Sequence, residues 1–383
     1  MRPSQMKGKK LVQKRFMIAM LLAASGLQAC ADGNVSLNNP SHLITNIAVP
    51  NVTNPAFNFD IAYVEDGKLY LTDRNNKAID VVDTSTNKLI AQIPGAYAGI
   101  GKNSTKSGPD GIVGITGTHT IYVGDVNSVK VVDTDAQQVI KTIPISRAGN
   151  RVDEGCYDPD DHLVLMASPG DSPPFATFIS TQTQKPVSTL TFPGSLGLEA
   201  CAYDAKSKNF MINNDGTASN PLGELDTIAA SSVVAGTPVV SERFPLGKCS
   251  PTGLVLGPNN DVMVGCSPPA GDPLITLIFD RTSGALQATI PFGGVDQIAY
   301  DPASNRYFLP ARNWVPGGIA ADSGFSAQMG VIDGASRTLL YTVAAGKGSH
   351  SVAIDSTTHR VNVPFQAGSP AFPNGGISVF ATK

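Results

Sequence analysis

The sequence predicts an all-β fold, a seven-bladed β-propeller with an N-terminal strand closing the last blade. Three observations carry that reading. A strand–turn–strand phrase recurs seven times at blade-like spacing. The segments between turns are rich in Val, Ile, Thr, Tyr and Phe and are bounded by Gly, Pro, Asn and Asp. An unmatched strand precedes the first copy, while the last copy lacks its fourth strand.

The copies are 59–63 (FDIAY), 109–113 (PDGIV), 153–158 (DEGCYD), 199–204 (EACAYD), 252–256 (TGLVL), 296–301 (DQIAYD) and 350–355 (HSVAID). Counted from Asp60, Asp110, Asp153, Glu199, Thr252, Asp296 and His350, the spacings are 50, 43, 46, 53, 44 and 54 residues. That is the period of a four-stranded propeller blade. After each copy come a second strand, a third often ending in Asp, and a fourth. The seventh copy stops after residues 376–380. Residues 43–49 (LITNIAV) match the fourth-strand pattern and are expected to complete it, which would remove two open sheet edges. No stretch reads convincingly as a helix.

Composition agrees with this. Of 383 residues, 42% are hydrophobic and 15% charged, with 38 Gly and 28 Pro. The chain is too apolar for disorder and too rich in turn formers for a helical bundle. Residues 1–29 read as a signal peptide, with a basic stretch from Arg2 to Arg15 and an apolar run over 16–27. Leu27-Gln28-Ala29-Cys30 resembles a bacterial lipobox, with Cys30 as the lipidated first residue; ordinary cleavage near Ala29 is the plainer alternative. Residues 30–41 read as a linker and 42–383 as one propeller domain. The signal segment holds six of the 28 Lys and Arg and none of the 31 Asp and Glu, so the mature chain would carry a charge of −9. That excludes non-specific nucleic-acid binding. No later apolar run reaches transmembrane length, so contact with a membrane is expected only through a lipid anchor at Cys30. The chain is expected to be monomeric and exported, either periplasmic or anchored at the outer membrane.

The strand-pair phrases resemble YVTN-type β-propeller repeats of secreted bacterial proteins. Tyr122-Val123-Gly124-Asp125 and 350–355 are the nearest matches, although no copy reads YVTN outright. The resemblance implies a seven-bladed propeller and implies little about activity.

Propeller connectivity sorts the loops onto two faces. Turns within the 1–2 and 3–4 strand pairs are short, whereas the others are long and rich in Gly and Pro: 95–109, 213–223, 266–273, 311–328 and 366–375. Long loops on a rigid scaffold collect binding residues, so this face is expected to be the working one. The residues opening each inner strand lie there too, around the channel. They are Asn58 or Asp60, Asp110, Asp153 or Glu154, Glu199, Thr252, Asp296 and His350. Carboxylates crowded there need water, a cation or a basic group among them. Asp110, Asp153, Glu199 and Asp296 are therefore candidate ligands of Ca²⁺ or another divalent cation, and His350 is a candidate general base. The plainer alternative is a wet channel whose polar residues cap neighbouring backbone. Asn214, Arg312, Asn313 and Trp314 are candidate ligand contacts in the long loops.

Four cysteines follow Cys30. The hairpin of the fifth copy favours Cys249–Cys266, and Cys156 and Cys201 could pair across adjacent blades. No C-x-x-C, G-x-S-x-G or H-E-x-x-H occurs. The glycines of 99–104 have the wrong spacing for a phosphate loop. The expected function is a cell-envelope binding or scaffold module for a protein or small-molecule ligand. The alternative is a metal-dependent, lactonase-like hydrolase or lyase using Asp110, Glu199 and Asp296 with His350.

Overall fold

Seven antiparallel four-stranded sheets make up the chain in the computed structural model, which describes residues 41–52, 56–368 and 370–382. The signal segment, Cys30 and all but residue 41 of the linker lie outside the described residues. Blade 1 runs through Phe59–Glu65, Lys68–Asp73, Ala78–Asp83 and Lys88–Pro94. Blades 2 to 6 follow in chain order, and their innermost strands are Ile112–Ile115, Gly155–Asp158, Leu198–Asp204, Pro251–Leu256 and Ala299–Asp301. Blade 7 combines Ala353–Asp355, Arg360–Phe365 and Gly376–Ala381 with Leu43–Ile47 from the other end of the chain. Leu43 pairs with Phe380, Asn46 with Ser378 and Ile47 with Ile377. This is the expected closure.

The strand patterns follow from position in the wedge. Middle strands are covered on both faces, so Leu163–Ser168 and Asp261–Cys266 are buried throughout. Outermost strands alternate, as in Thr338–Ala344, because one face meets solvent. Adjacent blades bury seven apolar seams. Ile47 from the closing strand joins Phe57, Phe59, Leu71 and Val379 in the seam between blades 7 and 1.

The recurrent Asp at the end of the third strand has a local cause. Asp83, Asp133 and Asp333 each accept two backbone N–H bonds from residues two and three further on, at 2.7–3.1 Å. The turn then passes through a left-handed residue: Asn87, Gln137 or Arg337. His119, His162 and His359 occupy left-handed turn positions of this kind, away from the channel mouth.

Two expectations need correction. A one-turn helix, Ala230–Val234, links the third and fourth strands of blade 4. Five residues are too few to show helical periodicity, and burial of Ala230 and Val233 against the blade holds them. The inner strands of blades 2, 3, 6 and 7 begin two or three residues later than expected, so Asp110, Asp153, Asp296 and His350 precede them instead of opening them. Before blade 6 the Gln297 N–H donates to His350 O at 2.9 Å, so backbone there bonds the next blade and not its own sheet, and the inner segments pack closely. A Cβ on Gly253 would lie 2.0 Å from the Asp296 carbonyl oxygen, and one on Gly111 would lie 2.2 Å from that of Asp153.

Cys156 is bonded to Cys201, which joins the inner strands of blades 3 and 4. Cys249 is bonded to Cys266 within blade 5.

The contact at Gly253 predicts that Gly253→Ala lowers unfolding free energy by about 1–3 kcal/mol, measured by urea denaturation.

Candidate functional site

The segments leading into the inner strands converge on the long-loop face. Their side chains line a funnel of about 460 Å³ at the mouth of the channel. Residues 100–104 and Ser107 of the long crossover between blades 1 and 2 overhang it. That crossover is held in shape by Ser107, whose hydroxyl donates to Asn103 O at 2.8 Å and accepts from the Gly101 N–H at 3.0 Å.

The carboxylates around the funnel form two groups. Asp60, Asp110 and Asp153 approach within 4.8 Å of one another, and so do Glu154, Glu199 and Asp296. The first group is answered by two arginines. Arg74 follows directly on the second strand of blade 1; its guanidinium bonds Asp60 at 2.7 Å and also bonds Asp110. Arg151 bonds Asp153 at 2.6 Å and lies 3.8 Å from Asp60. Burial alone would push the Asp60 carboxyl up, but Arg74, His350 and Arg151 outweigh it and hold Asp60 well below the usual range.

The second group has less cation near it. Arg312 bonds Asp296 at 2.7 Å from a side chain 40% exposed. Gln297 donates to Glu154. Burial, and then the like charges of Asp153, Glu199 and Asp296, push Glu154 well above the ordinary carboxylate range. Burial, Asp215, Asp296 and Asp153 do the same to Glu199. Asp215 is pushed up to about 6, first by burial, with Asp296 adding to it against Arg151. Burial likewise lifts Asp153 to about 6 against the pull of Arg151.

Asp153, Glu199 and Asp296 thus reach the mouth, Asp110 lies fully buried beneath it against Arg74, and the four do not form one donor set. Asp110 and Asp153 sit with Asp60 against arginine, and Glu199 and Asp296 sit with Glu154. The choices of register in blades 1 and 3 resolve in favour of both residues, since Asn58, Asp60, Asp153 and Glu154 all line the funnel. His350 is buried, stacked on Phe59 with ring centres 4.5 Å apart. Its Nδ1 lies 2.7 Å from Gly348 O, which leaves Nε2 facing Asp60 at 3.6 Å. The imidazole therefore belongs to the charge network. Thr252 is spent on backbone, with its hydroxyl 2.7 Å from Val295 O.

Among the loop candidates, Arg312 alone lines the funnel. Trp314 stacks on buried Phe292 at 5.1 Å and roots its own loop. The Asn313 amide reaches Ser267 at 3.4 Å. Asn214 is buried in blade 4, where its amide donates to Asp226. Reading the sequence missed Arg74 and Arg151. Arg151 carried a signal, because side chains two apart in extended chain share a side and Asp153 follows at that spacing. Arg74 carried none, since it meets Asp60 across the hairpin of blade 1, fourteen residues away in sequence, and Asp110 only where blades 1 and 2 pack.

By fold, the protein is a seven-bladed β-propeller. No family model matches its sequence, and no curated protein does. Solved structures do match. One is hydrazine synthase from Kuenenia stuttgartiensis, with a TM-score of 0.67 and 16% identity over 87% of this chain and 97% of that one. Another is a chain of a mitotic checkpoint complex, with a TM-score of 0.65 and 12% identity over 97% of this chain and 99% of that one. At such identities the likeness concerns the fold alone.

Raised carboxyls at the mouth predict an unusual pH dependence. Asp153 and Asp215 titrate near 6 when folded and near 3.8 when unfolded. Between those values the folded state binds more protons, so stability falls as pH rises through this window. The low carboxyl of Asp60 acts only below it. Chemical denaturation should show stability decreasing from pH 4.5 to 7. Asp215→Asn should flatten that slope and stabilise the protein at pH 8 by about 1–2 kcal/mol.

Proposed function

We propose that this protein is an exported cell-envelope β-propeller of the YVTN type that serves as a binding module, and that its funnel takes a small polar ligand bearing a cationic group. The observation that carries this is the uneven compensation of charge at the mouth. Arg74 and Arg151 contact the carboxylates of the first group, whereas among the described residues the direct partners of Glu154, Glu199 and Asp296 are half-exposed Arg312 and the Gln297 amide. An ammonium or guanidinium entering the funnel would let Glu154 and Glu199 ionise, so the Coulomb attraction appears only with ligand present. The site is assembled from several rigid blades, so little ordering entropy is lost on binding.

The export reading is supported by the basic and apolar residues 1–27, by the lipobox-like run ending at Cys30, and by two disulfides, which persist in oxidising compartments. The hydrolase reading asks Asp110, Glu199 and Asp296 to share one ion with His350 as base. Asp110 is taken by Arg74 and His350 faces Asp60, so binding is the better-supported activity.

A thermal-shift screen of amino acids, polyamines and amino sugars tests this. At least one cationic compound should stabilise the wild-type protein, and Glu199→Gln should weaken its binding by about tenfold or more, roughly 1.4 kcal/mol. A screen without any cationic hit, or equal binding by the variant, would contradict the proposal.

A further inference from the structure

The outer part of blade 4 holds a second polar site that the channel mouth does not use. Its third strand, Glu224–Ala229, places Glu224 and Asp226 two residues apart and so on one face. Both side chains are 1% exposed. Each carboxylate has one satisfied oxygen. Glu224 Oε2 accepts from Asn220 Nδ2 at 2.5 Å and Thr217 Oγ1 at 3.3 Å, and Asp226 Oδ2 accepts from Asn214 Nδ2 at 3.1 Å. The other two oxygens, Glu224 Oε1 and Asp226 Oδ1, are buried without any hydrogen-bond donor. Arg243 Nε stands 3.5 and 3.8 Å from them, on a side chain 56% exposed.

Orphaned buried carboxylate oxygens are costly, and a structure that keeps two of them side by side needs a reason. Both residues line a cleft of about 630 Å³ between the outer strands of blades 3 and 4. The other blades show that the fold does not require them. The position paired as Glu224 is with Asn214 holds Ala78, Ser128, Phe175, Gln328 and Gly376 in five other blades. Two residues on, those blades have Asp80, Lys130, Thr177, Gly330 and Ser378, so none of the five repeats the pair. Loop 213–223 wraps the carboxylates. It is tied by the Thr217 and Gly223 N–H groups, which both donate to Asn220 O at 3.0 Å.

We propose that Glu224 Oε1 and Asp226 Oδ1 hold a divalent cation of the calcium type in this cleft. Arg243 Nε already lies near both oxygens, so one ion there could bridge them. The Thr217 hydroxyl, 3.3 Å from Glu224 Oε2, is a neutral oxygen beside the pair, and the cleft that both carboxylates line leaves room for water. An all-oxygen set without Cys or His, in a roomy and irregular site, suits Ca²⁺ better than zinc or the strict octahedron of Mg²⁺. The loosely placed Arg243 competes with the ion for the same oxygens. None of this depends on the funnel.

Calorimetric titration of the chelator-treated full chain with CaCl₂ tests the site. Wild type should bind Ca²⁺, and Glu224→Gln and Asp226→Asn should each weaken binding by about tenfold or more. Glu199→Gln, at the funnel, should bind as wild type does. Arg243→Ala, at the surface and so least disturbing to folding, should bind several-fold tighter. The proposal is overturned if wild type gives no binding heat and no Ca²⁺-dependent stabilisation. It is equally overturned if Glu199→Gln loses the binding that Asp226→Asn keeps, or if Arg243→Ala fails to bind more tightly.

Discussion

Pairing of Leu43–Ile47 with Gly376–Ala381 is the constraint from which the rest of the molecule follows. The seventh wedge reaches the four strands of the others only because the first and last segments of the chain share it. The pairing also fixes the distance between every pair of neighbouring inner strands. Gly111 and Gly253 mark how close those backbones come, with a neighbouring carbonyl where a side chain would start. Closure therefore brings the approaches to all inner strands to one small mouth, whatever side chains they carry.

The side chains they carry are largely acidic, which makes closure an electrostatic problem. Around Asp60, Asp110 and Asp153 the chain supplies its own counter-charges. Arg74 ties blade 1 to blade 2, and Arg151 ties the approach to blade 3 back to blade 1, so the ion pairs also staple the wedges. On the opposite side, Glu154, Glu199 and Asp296 are held close, burial and like charge raise the proton affinity of Glu154 and Glu199, and half-exposed Arg312 bonds Asp296. That imbalance is what the proposed binding of a cationic ligand rests on. Blade 4 repeats the logic at its rim, where two carboxylates share one exposed arginine.

The fold was legible because a propeller writes itself into the chain as a period. Seven inner-strand phrases, recurring Asp turns and an unmatched strand at residues 43–49 each have a local cause, and each survives in the sequence. The mouth was legible in part. Asp110, Asp153, Glu199 and Asp296 stand at equivalent points of the repeat, so their shared location followed from period alone. Their division into two groups did not, because Arg74 and Arg151 lie outside the repeated phrase and each reaches a second carboxylate in another blade, Asp110 and Asp60. Asn214 misled for a related reason. Its place in a long loop suggested exposure, but it is the last residue of the strand Asn209–Asn214 and points its amide at Asp226. Trp314 looked like a ligand contact and serves as a loop anchor on Phe292. Short-range pattern reveals which elements form, while the partner of a buried charge is decided by contacts far apart along the chain.

Amide hydrogen exchange on the full chain and on a chain beginning at residue 50 measures the closure most directly. Without the closing strand, Gly376–Ala381 becomes an edge. The account predicts loss of protection there, spreading into the seam that Ile47 shares with Phe57 and Leu71, together with a lower midpoint of thermal unfolding. Unchanged protection across 376–381 and an unchanged midpoint would contradict it, and would show that the ring holds without its latch.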